Sequence, residues 1–433
     1  MKTVLKSVSC AAIAAGTLLA MSLPAAGVQA AGIASPASGP FPSRAAVPAG
    51  ATAAPAYSVL YGVFCPSAKD CWAVGQRSRG AQLANLVMHW NGKKWSRSPA
   101  PNPSQEDDEL FAVRCLSSTD CWAVGQYLKD ETWLAEALHW TGRKWINTKV
   151  PAYGGTKNND VTELFDSTCT TSDNCWAVGN FGIGETPPEK LLNLILHWNG
   201  KKWSKVRPPD PGGTKLTDLN FLNAVRCVSA SDCNAAGSYG SVASAKNIEL
   251  NEVLHWNGKR WSWIHVTNPA GTGAEKQNQI EALACGAKAS CWGAGLAGTG
   301  GSTDVFTNEM LHWNGAKWTK VGVPEPGGTK TGNSNFLYGA TCDGSADCWA
   351  VGQYRNSHTA NVNEALHWNG KHWRYVGTPN PAGSDNLASN ELYQVRCISS
   401  SDCWAVGASD PDLGTQTAEI LRWNGKKWLI SPA

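Results

Sequence analysis

Seven pairs of cysteines, each with five residues between its members, run through the chain: Cys65 and Cys71, Cys115 and Cys121, Cys169 and Cys175, Cys227 and Cys233, Cys285 and Cys291, Cys342 and Cys348, and Cys397 and Cys403. Of 15 cysteines only Cys10 stands outside the pattern, in an N-terminal segment that has the character of a removable leader. An even set with no remainder points to disulfides formed in an oxidising compartment. Zinc wants four converging ligands, usually from C-x2-C half-sites, and a dithiol redox centre is a single C-x-x-C, so seven structural bridges are expected. Each closes a short loop and contributes roughly 2 kcal/mol in the chain-entropy account.

A second marker follows every pair. His89, His139, His197, His255, His312, His367 and Arg422 each open a segment of the form HWNGKKW or a near variant, at intervals of 50, 58, 58, 57, 55 and 55 residues. A period of this size with strand-like content is the mark of a β repeat. In the second unit "LFAVRC" (Leu110 to Cys115), "CWAVGQY" (Cys121 to Tyr127), "AEALHW" and "KWINTKV" supply four strands. The Asn-Gly between the last two strands, present in six of the seven units, predicts a two-residue type I′ hairpin with positive φ at both positions. The composition, 44 Gly and 22 Trp with 16% charged residues, fits an all-β protein. The expected fold is a seven-bladed β-propeller over residues 57–433, built from four-stranded antiparallel blades with one disulfide each. The tryptophan of CWAVG, replaced once by Asn234, is expected to fill space between blades, with Ala-Val-Gly allowing close approach. The first unit begins with its first strand and the last ends with its fourth, so either the ring closes by packing or the strand phase is shifted.

The combination C-x5-CWAVG and LHWNGKxW resembles the tandem-repeat propeller proteins exported by actinobacteria and, more distantly, Asp-box and kelch-type propellers. The resemblance covers Tyr57 to Ala433 and implies a propeller fold; propellers host both lectins and enzymes, so it fixes no activity. The Ser-x-Asp-x-Gly of Asp boxes and the Gly-Gly strand ending of kelch repeats are missing, and neither comparison supplies catalytic residues.

Residues 1–30, with Lys2, Lys6, an apolar run and Val28-Gln29-Ala30, match a signal peptide cleaved after Ala30, and 31–56 an Ala/Pro-rich flexible linker. No later apolar run approaches about 20 residues, and a secreted, extracellular monomer is expected. Loss of Lys2 and Lys6 leaves 37 − 2 = 35 basic against 34 acidic residues, a net charge of +1, which removes the electrostatic basis for nucleic-acid binding.

In such a blade the loops between second and third strands, and those between successive blades, share one face and vary in sequence, which makes that face the expected recognition surface. Glu136, Glu252, Glu309, Glu364 and Glu419 recur three residues before the marker, and Asn251, Asn308 and Asn363 precede three of them. With Trp133, Phe306 and Tyr354 in the adjacent segments they are the candidate sugar-binding set, carboxylates for hydroxyls and rings for the pyranose face. The competing interpretation pairs these glutamates with Arg114, Arg226 and Arg396, or makes them strand caps. Arg422 in place of histidine argues against a metal or acid-base role for the marker. Lysines of the Trp-Asn-Gly turns, Lys93 and Lys94 among them, gather on the opposite face as solubilising groups or a dock for an anionic wall polymer. No catalytic set, metal cluster or cofactor motif stands out, and structural calcium is left open. The expected function is a secreted, non-catalytic binding module for extracellular or cell-wall carbohydrate. The alternatives are a glycoside hydrolase with two carboxylates from different blades and a protein-protein scaffold.

Overall fold

The computed structural model describes residues 57–157, 160–183, 190–241, 248–300, 305–412 and 414–432. The expected leader and linker, residues 1–30 and 31–56, lie outside them, as do 184–189 and 242–247 in two of the variable loops.

Every repeat folds as an antiparallel meander of four strands, here A to D in chain order. Repeat 1 has A at Ser58–Ser67, B at Asp70–Arg79, C at Gln82–Trp90 and D at Trp95–Arg97. In repeat 2 the first three strands, Asp108–Ser117, Asp120–Lys129 and Thr132–Trp140, outrun their apolar cores, while D shrinks to Trp145–Asn147. The sheets of repeats 2 and 3 are joined by one parallel bridge between Trp133 and Val161.

The seven expected bridges are all present. Cys65 bonds to Cys71, Cys115 to Cys121, Cys169 to Cys175 and Cys227 to Cys233. In the last three repeats Cys285 bonds to Cys291, Cys342 to Cys348 and Cys397 to Cys403. Each straps the A–B hairpin of its own repeat.

The C–D turn differs from the expected type I′ hairpin. Trp90 pairs with Trp95, so the loop holds four residues, and only Gly92 has positive φ (87°). The Asn91 side-chain oxygen accepts from the backbone N–H of Lys93 and Lys94 at 3.0 and 3.1 Å. Asparagine thus closes an Asx turn with its side chain and leaves the left-handed conformation to glycine.

Tryptophans form the seam between repeats. Trp72 stacks on His89 of its own repeat (4.3 Å between ring centroids) and meets Trp140 and Trp145 of the next at 4.7 and 5.2 Å. The marker histidine is fixed from behind, its Nε2 lying 2.8 Å from Asp70. Arg422 does the same work through Asp402, donating from Nε and Nη2 to the two carboxylate oxygens. The histidine position is therefore an orienting strut. Trp404 of the last repeat packs on Trp90 and Trp95 of the first at 4.8 and 5.2 Å, and the Ser58 N–H donates to the Gln416 carbonyl. The A strands touch in chain order, and the A strand of the last repeat (Ser389–Ser399) touches that of the first. The chain closes on itself by packing and hydrogen bonding between the first and last sheets, with no strand exchanged between them and the strand phase unshifted. Among the described residues no helix is long and apolar enough to cross a membrane.

Candidate binding site at the repeat axis

The glycine of CWAVG creates the site. In each repeat the A strand bulges opposite it; in repeat 1 the register jumps from Leu60–Gly75 to Gly62–Val74 and leaves Tyr61 unpaired. The strands come so close there that a Cβ on Gly75 would lie 2.0 Å from the Val59 carbonyl oxygen, and one on Gly407 1.8 Å from that of Glu391. No residue with a side chain fits. The bulge turns the residue four before the first cysteine toward the axis, which gives Tyr61, Phe111, Phe165, Asn223, Glu281, Tyr338 and Tyr393, all lining one axial pocket. The enclosed space among them is about 20 Å³, on the scale of a single water molecule.

Two residues earlier on the same strands stand Glu109, Glu163, Gln279 and Glu391. Polar partners hold them: Gln126 donates to Glu109 (3.3 Å), Asn180 to Glu163 (2.8 Å), Ser389 to Glu391 (3.0 Å), and the Tyr393 hydroxyl to Glu391 as well. Glu249 accepts from Ser238 (2.6 Å) and Gln279. Gln76 donates to Tyr61 at 2.8 Å and Gln353 to Tyr338 at 3.0 Å. Burial pushes the Glu109 carboxyl up to about 7, reinforced by the charges of Asp107, Glu163 and Asp108 and opposed by the Gln126 hydrogen bond. Burial and then the charge of Glu249 push Glu281 up to about 8. Tyr61, Tyr338 and Tyr393 are raised well above their usual value, chiefly by burial, and stay neutral. The end of the axis where the A strands begin is therefore a cluster of carboxyl, carboxamide and phenol groups. That is the end of the variable loops.

The five candidate glutamates are elsewhere. Glu136, Glu252, Glu309, Glu364 and Glu419 are 0–3% exposed. Each accepts from an asparagine of the preceding repeat: Asn85 Nδ2 to Glu136 (2.8 Å), Asn193 to Glu252 (2.5 Å), Asn308 to Glu364 and Asn363 to Glu419 (2.6 Å each), and Asn251 to Glu309. The groups lie buried between sheets, each against an asparagine of the preceding repeat. The competing partners are not theirs either. Arg114 and Arg226 are drawn to Asp166, and Arg396 lies over Phe64. Burial holds the five carboxyls well above the usual range. Each leaves Oε2 without a partner beside an asparagine whose Oδ1 also lacks one among the described residues. A neutral carboxyl carries the hydroxyl donor that the amide oxygen needs.

Trp133, Phe306 and Tyr354 fall in three separate repeats. Trp133 carries the bridge to Val161, Phe306 packs on Phe336 at 5.1 Å, and Tyr354 meets Tyr375, their hydroxyls 3.4 Å apart. The structure does not gather them into one site. The axial residues were missed because the sequence signal, the residue four before each first cysteine, varies from Tyr and Phe to Asn and Glu. The invariant glycine that aims it was the better guide. No group of three or more His, Cys, Asp or Glu side chains suited to a metal occurs among the described residues.

Fold and site together define a disulfide-strapped repeat protein of the β-propeller kind. No family model and no curated protein matches the chain. Solved structures do match in fold. An ulvan lyase of a new polysaccharide lyase family is 10% identical, with a TM-score of 0.55 over 84% of this chain and 92% of that one. A xyloglucanase from Xanthomonas campestris is 12% identical (TM-score 0.49, 87% of this chain, 55% of that one), so the chain spans about half its length. The β-propeller domain of the trilobed protease from Pyrococcus furiosus, with an open velcro topology, is 8% identical (TM-score 0.48, 87% and 98%).

Proposed function

We propose that the chain is a secreted, non-catalytic module that binds extracellular or cell-wall carbohydrate at the variable-loop end of its axis. In this reading residues 1–30 are a cleaved leader, 31–56 a linker, and 57–433 a monomeric seven-bladed propeller of the kind exported by actinobacteria. The observation that carries it is the clustering of carboxyl and phenol groups from different repeats near the axis, where Glu109 feels the charge of Glu163, Tyr61 that of Glu109, and Tyr338 those of Glu391 and Glu281. Planar carboxyl and amide groups with neutral phenols supply paired donors and acceptors for vicinal hydroxyls. The ulvan lyase likeness is in keeping, since that protein's architecture serves a polysaccharide.

Hydrolysis is the second reading, favoured by one feature. Glu109, raised to about 7 chiefly by burial, feels the charge of Glu163 from the neighbouring repeat, and glycoside hydrolysis uses two facing carboxyls, one of them kept protonated.

The test is binding of residues 31–433 to a glycan array and to isolated cell walls at low and high salt, with Glu391→Gln alongside. Salt-resistant binding to defined sugars that Glu391→Gln weakens at least tenfold supports the module. Release of new reducing ends from a bound glycan, lost in Glu109→Gln, favours the hydrolase. Binding to no glycan removes both, and a stable protein captured from culture fluid then makes the scaffold the better account.

A further inference from the structure

The other end of the axis, where the A strands run into their disulfides, has the opposite chemistry. The residue just before the first cysteine is Arg114, Arg226 or Arg396 in three repeats and Phe64 in the first. One buried carboxylate serves these guanidinium groups. Asp166 accepts from Arg226 and lies 3.9 Å from Arg114, whose Nε is occupied by the Ser167 carbonyl at 3.2 Å. Arg396 has no ion-pair partner among the described residues. Its guanidinium lies 4.3 Å from the Phe64 ring centre, with Arg114 at 5.3 Å from the same ring, and its buried Nε meets no acceptor. Exposed Asp343 acts on Arg396 only through its charge, while burial and the Arg114 charge pull Arg396 down to about 10.

Three guanidinium groups against one buried carboxylate, with only the exposed Asp343 besides, leave positive charge in excess in a narrow, largely desolvated mouth. Such an arrangement is costly without a compensating anion. Arginine presents a flat fork of donors that fits carboxylate and sulfate oxygens, and the lysine-bearing C–D turns around the same face draw anions toward it. Asp166 and Arg226 line the axial pocket, so the mouth opens into it.

We infer that the disulfide-side mouth of the axis is an oxyanion-binding site, in which Arg396 and Arg114, spaced by Phe64, take a carboxylate or sulfate group. The site lies at the other end of the axis from the proposed carbohydrate site, with the axial pocket between them. Isothermal titration of residues 31–433 with sodium sulfate and with sodium glucuronate, at constant ionic strength held with chloride, tests it. Saturable binding of at least one probe is expected. Arg396→Gln should weaken it tenfold or more, Arg396→Lys should weaken it less, and the double variant Lys93→Gln with Lys94→Gln should leave it within twofold. Binding of sulfate alone identifies a free inorganic anion as the fitting source, and preference for glucuronate an acidic sugar. Near-UV circular dichroism of the tryptophan seams confirms that the variants are folded. Absence of saturable heat with either probe overturns the inference, and so does undiminished binding in folded Arg396→Gln.

Discussion

Two kinds of junction hold the repeats together, and they differ at one pair of positions. Between repeats 3 and 4 a buried asparagine, Asn193, reaches Glu252; between repeats 2 and 3 the same two positions are Ala135 and Leu194, packed in one apolar cluster. Closure follows the second pattern, with Ala418 of the last repeat against the cluster that holds Leu86 of the first. The two positions change together, although they lie in different repeats. An amide without its carboxyl, or a carboxyl without its amide, would be a buried polar group unpaired, whereas Ala with Leu fills similar space with nothing to satisfy. The change extends to a loop. Asn193 also donates to the Pro209 carbonyl, and its N–H is capped by Asp210; where Ala135 stands, the residue in the capping place is Ala152. The tryptophan seam is common to both kinds, as Trp122 on Trp198 and Trp203 and Trp176 on Trp256 and Trp261 show.

Transplanting one half of the polar pair should have the largest effect. Leu194→Glu alone puts an unpartnered carboxyl into the apolar junction and should cost about 4 kcal/mol in denaturant unfolding; adding Ala135→Asn should recover more than half. Equal stability of the single and double variants would show that the two positions do not act as a pair.

The opposite exchange, Asn251→Ala with Glu309→Leu, should leave stability within about 1 kcal/mol at neutral pH and change its pH dependence. The Glu309 carboxyl is raised in the folded chain by burial, so the folded state keeps its proton where the unfolded state, near the ordinary 4.5, has lost it. Its contribution is complete below about 4.5 and declines as pH rises through the raised value. The exchange should remove up to about 1.4 kcal/mol per pH unit of that slope. Unfolding midpoints measured from pH 4.5 upward decide it, an unchanged slope meaning that Glu309 is ionised in the fold.

The smallest effect concerns the seam. At the junction of repeats 4 and 5, Asn234 replaces the stacking tryptophan, and Trp313 and Trp318 lie 5.9 Å apart without it. Asn234→Trp should stack there and on His255, raising stability by about 1 kcal/mol. A lowered melting temperature would mean that this junction has been repacked around the smaller residue.

Much of the architecture was legible in the chain. The disulfide partners, the four strands of each repeat, the seam tryptophans and the order of packing follow from residues close together and repeated, where period and spacing carry the information. The C–D turn was harder, because Asn-Gly serves both a two-residue hairpin and an Asx-closed loop of four; the paired tryptophans on either side set its length. The candidate site was less legible still. Asn251 and Glu252 are adjacent in sequence and looked like one polar patch. Successive residues of a strand point to opposite sides, so Asn251 bonds to the following repeat and Glu252 to the preceding one. What each repeat is made of can be read from the chain alone, because those contacts are local. Which faces meet and which side chains reach the axis depend on how the repeats pack, because a strand's two faces look out on different neighbours and a bulge of one residue changes where the next side chain points.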